Sequence, residues 1–423
     1  MQRSERPWLV FAVVCAGTFV AQLDLFIVNI AFPSIQEAFP GATTSSLAWV
    51  LDAYAIVFAA CLVPAGRLTD LLGRRRGYLG GLALFALASI VCAAAPSLAV
   101  LIAGRVVQAV GAAAMVPSAL ALLLPAFPPE KRTLAIGAWS SVGAAAAASG
   151  PPLGGLLVEA SWRWIFLVNV PVAVVTLIAG ARVLPEIRHP EGGLPDLAGV
   201  LLLIGAVGGL VLGIVEGPSW GWGSDRVLGC FAAALVLGAL FLRRCARHPV
   251  PVLELALLRE RSFAAANVVM LLFMTAFGAM LLTGVLFLTQ VWHHSSLRAG
   301  FELAVGPGTV VGVSFASRRL VERIGPRAVV ALGALCFVAA SLWWRLRLGA
   351  TPDYAAAYLP AMFLSGTGVG LTQPTLFGVA AAALAPERLS TGTAIVNMSR
   401  QIGMAIGVAV VIAIVGAGSA PLA

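Results

Sequence analysis

The chain contains little charge and a single lysine, Lys131. Only 11% of its 423 residues are Asp, Glu, Lys or Arg, whereas 60% are hydrophobic. A soluble protein of this length could not remove so much apolar surface from water. Apolar runs of about 20 residues, separated by short polar turns, instead indicate an all-α polytopic membrane protein.

The scarcity of particular residue types also argues against several chemistries. Lys131 lies in Pro-Pro-Glu-Lys-Arg, so the chain has no Gly-x-x-x-x-Gly-Lys phosphate loop, and no polar stretch is long enough for an ATPase domain. The six cysteines lack the paired spacing of a disulfide framework or metal site. With four histidines and short turns, we find no gathered catalytic groups. We therefore expect no enzyme activity, no cofactor and no metal.

Thirteen apolar spans can be delimited, and the basic residues between them are distributed unequally. With the N-terminus inside, inner turns and the N-terminal tail hold 20 of the 27 Lys and Arg residues, and outer turns hold five. This positive-inside bias predicts a multi-pass protein of the cytoplasmic (inner) membrane with a cytoplasmic N-terminus. The spans run approximately over residues 8–32, 46–66, 77–96, 98–125, 134–158, 163–184, 196–216, 226–243, 262–291, 298–317, 327–346, 355–383 and 391–417.

The N-terminal basic residues and the net charge of +9 fit the same interpretation. Arg3 and Arg6 precede a first apolar run that is too long for a signal peptide and lacks a clear cleavage site, so we expect a retained span. No stripe of basic residues interleaved with aromatic ones is present, and we expect no nucleic-acid partner.

A short motif occurs twice, in turns that each follow an even-numbered span. The repeated residues are Leu68, Asp70 and Gly73, which return at the same spacing as Leu320, Glu322 and Gly325. Such a repeat predicts two related halves packed about an axis normal to the membrane. We therefore divide the chain into an N-terminal six-helix bundle (1–190), an inserted helix pair with a cytoplasmic linker (191–258) and a C-terminal bundle (259–423).

Two six-span bundles and an inserted pair require fourteen spans, which is one more than the thirteen that the sequence shows. Two explanations are open: the chain lacks the last span, or two spans are merged in the long regions 98–125 or 355–383. We expect the first explanation to hold, with the second bundle lacking its last span.

Three charges lie within spans at similar depth. By helix length, Asp24, Asp52 and Arg105 all fall in the outer third of the bilayer. Because an unpaired charge there is costly, we expect the three to pair. One interpretation is a proton-coupling site, in which movement of the arginine changes the proton affinity of a carboxylate. The alternative is a static ion pair that joins the three spans. Glu302, His293 and His294 lie near outer span ends, and we expect them to be solvated.

Seven segments, in order along the chain, resemble motifs of the major facilitator superfamily, and in particular of its fourteen-span drug:proton antiporters (EmrB/QacA-like). These segments are Leu23-Asp24-x-x-x-Val28-Asn29-x-Ala31-x-Pro33, Trp49-x-x-Asp52-x-Tyr54, Gly66-x-Leu68-x-Asp70-x-x-Gly73-Arg74-Arg75, Arg105-x-x-Gln108-x-x-Gly111, Gly150-Pro151-Pro152-Leu153-Gly154-Gly155, Trp162-Arg163-Trp164-Ile165-Phe166-x-x-Asn169-x-Pro171 and Asn397-x-x-Arg400-Gln401-x-Gly403. Leu71 and Ala146 depart from the motifs, where an arginine and a glycine are usual.

The resemblance implies a major facilitator fold, with two six-helix bundles and an inserted helix pair, and proton-driven export of hydrophobic, often cationic compounds by a monomer. Asp24, Asp52 and Arg105 would couple transport to protons. Substrate would contact Phe26, Asn29, Tyr54, Gln108, Asn397 and Arg400. Conformational gating would involve Gly66, Asp70, Gly73, Arg74, Arg75, Gly150, Pro151, Gly154, Gly155, Glu322 and Arg323.

Three other functions are open. An exporter of one specific natural product or metabolite would share this mechanism. A membrane enzyme would need polar catalytic groups in interfacial loops, and a channel would not need two halves that rock against each other. The sequence favours an exporter over a membrane enzyme and over a channel.

Overall fold

The computed structural model describes residues 7–188, 193–384 and 388–418, and within these ranges the chain is all-helical. The N-terminal arginines Arg3 and Arg6 lie outside the described residues. The long helices are α1 (Pro7–Ile30), α2 (Thr44–Leu72), α3 (Arg74–Ala94), α4 (Leu98–Ala126), α5 (Pro129–Ala160), α6 (Trp164–Val183), α7 (Leu197–Trp220), α8 (Asp225–Cys245), α9 (Arg261–Val291), α10 (Ser296–Ile324), α11 (Pro326–Arg347), α12 (Leu359–Ala382) and α13 (Leu389–Gly418).

Each of the thirteen predicted spans corresponds to one of these helices. Eleven are long and apolar enough to cross a membrane. The other two, α5 and α12, have 32 and 24 residues and are also long enough to cross a membrane. The two long regions that could have held merged spans contain α4, a continuous helix, and α12, which begins after a π-helical turn. Merging of two spans in either region is therefore wrong.

Polar side chains determine where several helices begin. Thr43, Ser97, Ser224 and Ser295 each accept a hydrogen bond from a backbone N–H in the first turn of the following helix. Asp196 does the same for α7 at 2.9 Å. Such caps satisfy amide groups that a helix start leaves without partners. They separate consecutive apolar segments into distinct helices.

The turns of the repeated motif have matching geometry. Gly73 ends α2 with φ +111° and Gly325 ends α10 with φ +80°, and each donates its N–H to a carbonyl four residues earlier. Positive φ favours glycine because a side chain would clash with the backbone. The glycines in the repeat are thus required by the turn that joins each pair of helices.

Helix packing forms two groups that meet along two contacts. In the first group α4 packs against α1, α2 and α3, and α6 packs against α1 and α3. In the second group α9 packs against α13, and α12 packs against α10 and α11. The groups meet where α5 packs on α10 and α2 packs on α13. The pair α7–α8 joins the assembly through α7, which packs on α2 and α13, whereas α8 remains largely exposed. The fold is therefore two bundles with an inserted pair, and the boundaries at 190 and 258 stay predictions.

Candidate functional site

Asp24 in α1 is completely buried and has three side-chain partners. Its Oδ2 accepts a hydrogen bond from Nη1 of Arg105 on α4, and the two groups form an ion pair. Its Oδ1 accepts hydrogen bonds from the amides of Gln108 at 2.9 Å and Asn169 at 3.2 Å. Side chains of α4 and α6 therefore pair with the Asp24 carboxylate of α1 and donate hydrogen bonds to it.

Arg105 is also buried and connects α4 to α2. Its Nε donates to the backbone carbonyl of Val50 at 3.0 Å, and its Nη1 also donates to Oε1 of Gln108 at 2.7 Å. Its guanidinium carbon lies 4.2 Å from the centroid of the Tyr54 ring, a distance at which a cation is attracted to the ring face. One side chain thus links the carboxylate of α1 to the backbone and an aromatic ring of α2.

Two further residues complete this cluster and were not among the predicted site residues. Ser89 on α3 is buried and accepts a hydrogen bond from Nε2 of Gln108 at 2.9 Å. Asn169 on α6 is also buried and donates to Asp24. Asn169 stood in a quoted motif and is a polar residue within an apolar span, which is a usable signal. Ser89 gave no such signal, because serine is common in apolar helices. We call Asp24, Ser89, Arg105, Gln108 and Asn169 the Asp24 cluster.

Asp52 lies outside the Asp24 cluster. It is 1% exposed, and neither carboxylate oxygen has a hydrogen-bond partner among the described residues. At 100° per residue, Asp52 and Tyr54 are separated by about 160° around α2. Since Tyr54 faces Arg105 on α4, Asp52 points away from α4. The other helices that pack extensively on α2 are α13 and α7. The expectation that all three charges pair is therefore correct for Asp24 and Arg105 and wrong for Asp52.

The predicted substrate contacts are distributed over both bundles. Gln108 and Tyr54 belong to or contact the Asp24 cluster. The amides of Asn29 and Asn397 donate to carbonyls of their own helices, at 2.9 Å to Leu25 and 3.0 Å to Thr393.

The other two predicted contacts, Phe26 and Arg400, are half-buried. Arg400 leaves its Nε without a partner in the described part of the chain. Its neighbour Gln401 is fully buried, and neither amide atom has a partner there. Of the predicted substrate contacts, only Gln108 and Tyr54 adjoin the Asp24 cluster.

The inner turn between α2 and α3 is held by ionic and backbone contacts. Asp70 and Arg74 form an ion pair at 2.6 Å, and the backbone N–H of Arg74 donates to the carbonyl of Ile187 at 2.9 Å. Arg75 donates to the carbonyl of Ala181, at the end of α6. A side chain at Gly73 would collide with Glu186. The turn is thus fixed to the inner end of α6.

The remaining inner gating residues have looser surroundings. A Cβ at Gly66 would lie 3.4 Å from Pro117 on α4, an ordinary contact. In the second copy of the motif, Glu322 pairs with Arg318 at 3.2 Å, and Arg323 is exposed. The second turn therefore matches the first in backbone conformation but not in its ionic contacts.

The glycines of α5 permit close approach to both bundles. A Cβ at Gly150 would lie 2.7 Å from Cβ of Phe26 on α1, and one at Gly154 would collide with Ile30. A Cβ at Gly155 would lie 2.5 Å from the carbonyl of Ser296 on α10. A side chain at Gly300 of α10 would in turn meet the carbonyl of Pro151. The two bundles are thus in direct backbone contact where the C-terminal part of α5 meets the start of α10.

The expected solvation of Glu302 and His294 is wrong. Glu302 is 8% exposed and His294 is 9% exposed, and their side chains are 2.8 Å apart. Arg298 also contacts the Glu302 carboxylate at 2.9 Å, and Tyr354 donates to the Glu302 carbonyl at 3.0 Å. Nearness to a span end does not mean exposure here, because the π-helical end of α9 and the start of α12 cover these groups. His293 is exposed, as predicted.

Among the described residues, no three His, Cys, Asp or Glu side chains are grouped so that they could hold a metal ion. The chemistry that the Asp24 cluster offers is that of ionisable and hydrogen-bonding groups inside an apolar helical bundle.

Comparison with known proteins places the chain in a family. Residues 14–408 match the family model described as Major Facilitator Superfamily. The tetracenomycin C resistance and export protein of Streptomyces glaucescens is 35% identical over 410 residues, which cover 96% of this chain and 75% of that protein. The multidrug resistance protein Stp of Mycobacterium tuberculosis is 37% identical over 397 residues, which cover 93% of this chain and 73% of that protein.

A solved structure has the same fold. The human organic anion transporter MFSD10 superposes with a TM-score of 0.65 at 17% identity, over 97% of this chain and 94% of that one. The family match, the relatives and the two-bundle architecture agree, and this chain belongs to the major facilitator superfamily of membrane transporters.

Proposed function

We propose that this protein is a proton-coupled antiporter that exports hydrophobic or cationic drugs and antibiotics across the cytoplasmic membrane. The observation that carries the proposal is the Asp24 cluster, a buried carboxylate paired with a buried arginine in the first bundle. The names of the two relatives, a resistance and export protein and a multidrug resistance protein, support the class of substrate.

The Asp24 cluster provides a reversible switch for one proton. With Arg105 in contact, the ionised form of Asp24 is favoured, because opposite charges attract strongly in a medium of low dielectric constant. Displacement of Arg105 leaves a buried carboxylate that is costly as an anion and therefore takes up a proton. Gln108 and Asn169, which both also donate to Ser89, would hold the carboxylate in either state. A proton bound on the outer side would thus be released when Arg105 returns.

Asp52 is the second group that we assign to proton coupling. As an anion without a partner it would be expensive inside the membrane, so the neutral form is favoured while α13 and α7 cover it. Access of water or of a cationic substrate to this side of α2 would favour ionisation. Asp52 would then exchange its proton for the substrate.

The subfamily, the orientation in the membrane and the oligomeric state are also part of the proposal. The quoted motifs and the inserted pair α7–α8 support the fourteen-span EmrB/QacA-like subfamily. The distribution of arginines supports a cytoplasmic N-terminus and the inner membrane. We propose the division into 1–190, 191–258 and 259–423, function as a monomer, and a proton gradient without any cofactor as the driving force.

Export of one specific natural product is the second candidate. It is favoured by the name of the Streptomyces glaucescens relative, which refers to a single antibiotic. The proton switch would be the same, and the difference would lie in the residues that contact the substrate.

The test is efflux from cells that produce the full chain, with ethidium and tetracenomycin C as alternative substrates. We expect efflux that stops on addition of a protonophore and that Asp24→Asn abolishes. Asp225→Asn is the matched control, because Asp225 is exposed at the start of α8 and has no ion pair among the described residues. Its efflux should equal that of the unmodified protein.

Three outcomes distinguish the candidates. Efflux of ethidium as well as tetracenomycin C supports the multidrug exporter, and efflux of the antibiotic alone supports the specific one. Efflux of either compound that persists in Asp24→Asn or in the presence of protonophore contradicts the proton-coupled mechanism.

A further inference from the structure

A basic cavity lies at the inner end of the inserted helix pair, away from the Asp24 cluster. Its volume is about 410 Å³. The residues that line it come from α7, α8 and the segment that follows α8: Leu202, Leu240, Arg243, Arg244, Arg247, His248 and Pro249. The proposed transport mechanism uses none of them.

Two of the three arginines have no internal role. Arg243 and Arg247 are exposed and form no ion pair with any residue that the structure describes. Arg244 pairs with Asp196 at 2.6 Å. The cavity therefore carries two uncompensated positive charges beside one that is fixed in place. Clusters of arginine with free fork-shaped donors match the geometry of phosphate oxygens.

Asp196 holds this arrangement at the start of α7. Its Oδ1 accepts hydrogen bonds from the backbone of Gly199 at 2.9 Å and from Arg244. Burial opposes ionisation of the carboxyl group, but these hydrogen bonds and the charges of His248 and Arg244 outweigh it and hold the pKa of Asp196 below its usual range. An ionised Asp196 keeps Arg244 in one position and joins the ends of α7 and α8.

The other part of the cavity is apolar and faces the lipid. Leu202 and Leu240 line it. Near these residues the helix pair exposes large apolar side chains, including Leu201 at 70% and Leu235 at 76%. The cavity therefore has a charged end at the membrane surface and an apolar end that continues into the lipid-facing side of α7 and α8.

We propose that this cavity binds an anionic phospholipid of the inner leaflet, with its phosphate at Arg243 and Arg247 and its acyl chains along Leu202 and Leu240. Basic pockets between transmembrane helices on the cytoplasmic side are suited to such headgroups. A free phosphate ion would use the arginines and leave the apolar end without a role. The bound lipid would fasten the exposed α8 to α7 and to the surrounding membrane.

The test measures lipid binding to the purified full-length protein in neutral detergent by native mass spectrometry. The probes are dioleoylphosphatidylglycerol, dioleoylphosphatidylcholine and inorganic phosphate. We expect the anionic lipid to bind at least tenfold more tightly than the zwitterionic one. The double variant Arg243→Gln/Arg247→Gln should bind the anionic lipid about 30-fold more weakly, from the loss of two arginines at the membrane surface.

Two further variants make the result specific. Arg319→Gln/Arg327→Gln removes the same charge from two exposed inner arginines that have no ion pair in the described ranges, and its lipid affinity should be unchanged. Arg243→Lys/Arg247→Lys keeps the charge and should retain most of the binding. If the double variant does not fold, the single variants Arg243→Gln and Arg247→Gln replace it in the test. Each should bind the anionic lipid about fivefold more weakly than the unmodified protein.

Several results would overturn the proposal. They are equal affinity of the double glutamine variant and the unmodified protein, an equal loss in the Arg319/Arg327 variant, equal affinity for both lipids, and displacement of the lipid by inorganic phosphate at millimolar concentration. The last result would indicate a site for free phosphate rather than for lipid.

Discussion

Asp24 and Asp52 are both buried carboxylates of the first bundle, but Asp24 has three hydrogen-bond donors and Asp52 has none among the described residues. The difference arises from the direction in which each side chain points from its helix, and not from the depth of the residue in the membrane. Asp24 faces α4 and α6, whereas Asp52 points away from α4. Removal of the charge should therefore change the stability of the protein at Asp24 much more than at Asp52.

The first prediction compares the stability of Asp24→Asn and Asp52→Asn. Removal of the Asp24 charge leaves Arg105 buried and unpaired, which costs about 3–5 kcal/mol. Asp52→Asn replaces a carboxyl group without partners by a neutral group of similar shape, so its stability should be nearly unchanged. Thermal unfolding of the purified proteins in detergent measures both effects, with Asp225→Asn as the exposed control. Equal destabilisation by the two variants would contradict the different surroundings described for them.

The second prediction concerns the shape of the cation at position 105. Nε of Arg105 reaches the Val50 carbonyl while Nη1 reaches Asp24. A lysine has one ammonium group and cannot occupy both positions, although it keeps the charge. Arg105→Lys should therefore retain most of the stability and lose at least about tenfold in efflux rate, equivalent to about 1.4 kcal/mol. Efflux assays at equal protein level in the membrane check this. Full activity of the lysine variant would show that charge alone is sufficient.

The third prediction concerns the outer contact between α5 and α10. A methyl group at position 155 would lie 2.5 Å from the Ser296 carbonyl, so Gly155→Ala should destabilise the closed outer contact by about 1–3 kcal/mol. Gly143→Ala is the matched control on the same helix, because its Cβ would have its nearest neighbour at 3.9 Å.

Labelling of Leu297→Cys by a membrane-impermeant maleimide should be faster in the Gly155→Ala background than in the Gly143→Ala background. Efflux should fall in the first background only. Equal labelling rates in the two backgrounds would show that α5 and α10 do not close against each other at this point.

The fourth prediction is a pH dependence at Asp196. Its pKa is lower in the folded protein than in the unfolded chain, so its contribution to stability is present above the unfolded value of about 4 and is lost as the pH falls through the folded value. Asp196→Asn should lower stability by about 1 kcal/mol at pH 7 through loss of the Arg244 pair and a weaker cap. The difference from the unmodified protein should shrink below about pH 4. Thermal unfolding between pH 3 and pH 8 measures it, and a constant difference over this range would contradict the assignment.

Much of the fold could be predicted from the sequence because hydrophobic runs and turn residues determine it locally. Each span was found as a helix, and the repeated glycines occupy the turns for which the repeat was noticed. The pairing of Asp24 with Arg105 followed from depth and opposite charge alone. These inferences use the distance along a helix, which residue numbers give directly.

The remaining features depend on information that residue numbers do not contain. Depth does not determine on which side of α2 a residue points, so Asp52 was placed wrongly with Arg105. Ser89 joins the Asp24 cluster only because α3 packs on α4. Glu302 and His294 are buried by the ends of α9 and α12, and the basic cavity exists only because α7 and α8 meet at their inner ends. Each case requires the packing of helices that are distant in sequence.

Every hydrogen-bond partner of Asp24 among the described residues lies on α4 or α6, within the bundle that contains α1. A rigid rotation of the second bundle would leave each hydrogen bond to Asp24 in place. In the proposed mechanism, proton uptake at Asp24 would therefore require a local departure of Arg105 and not rigid rocking alone. The proposed switch at Asp24 would then precede the movement of the bundles.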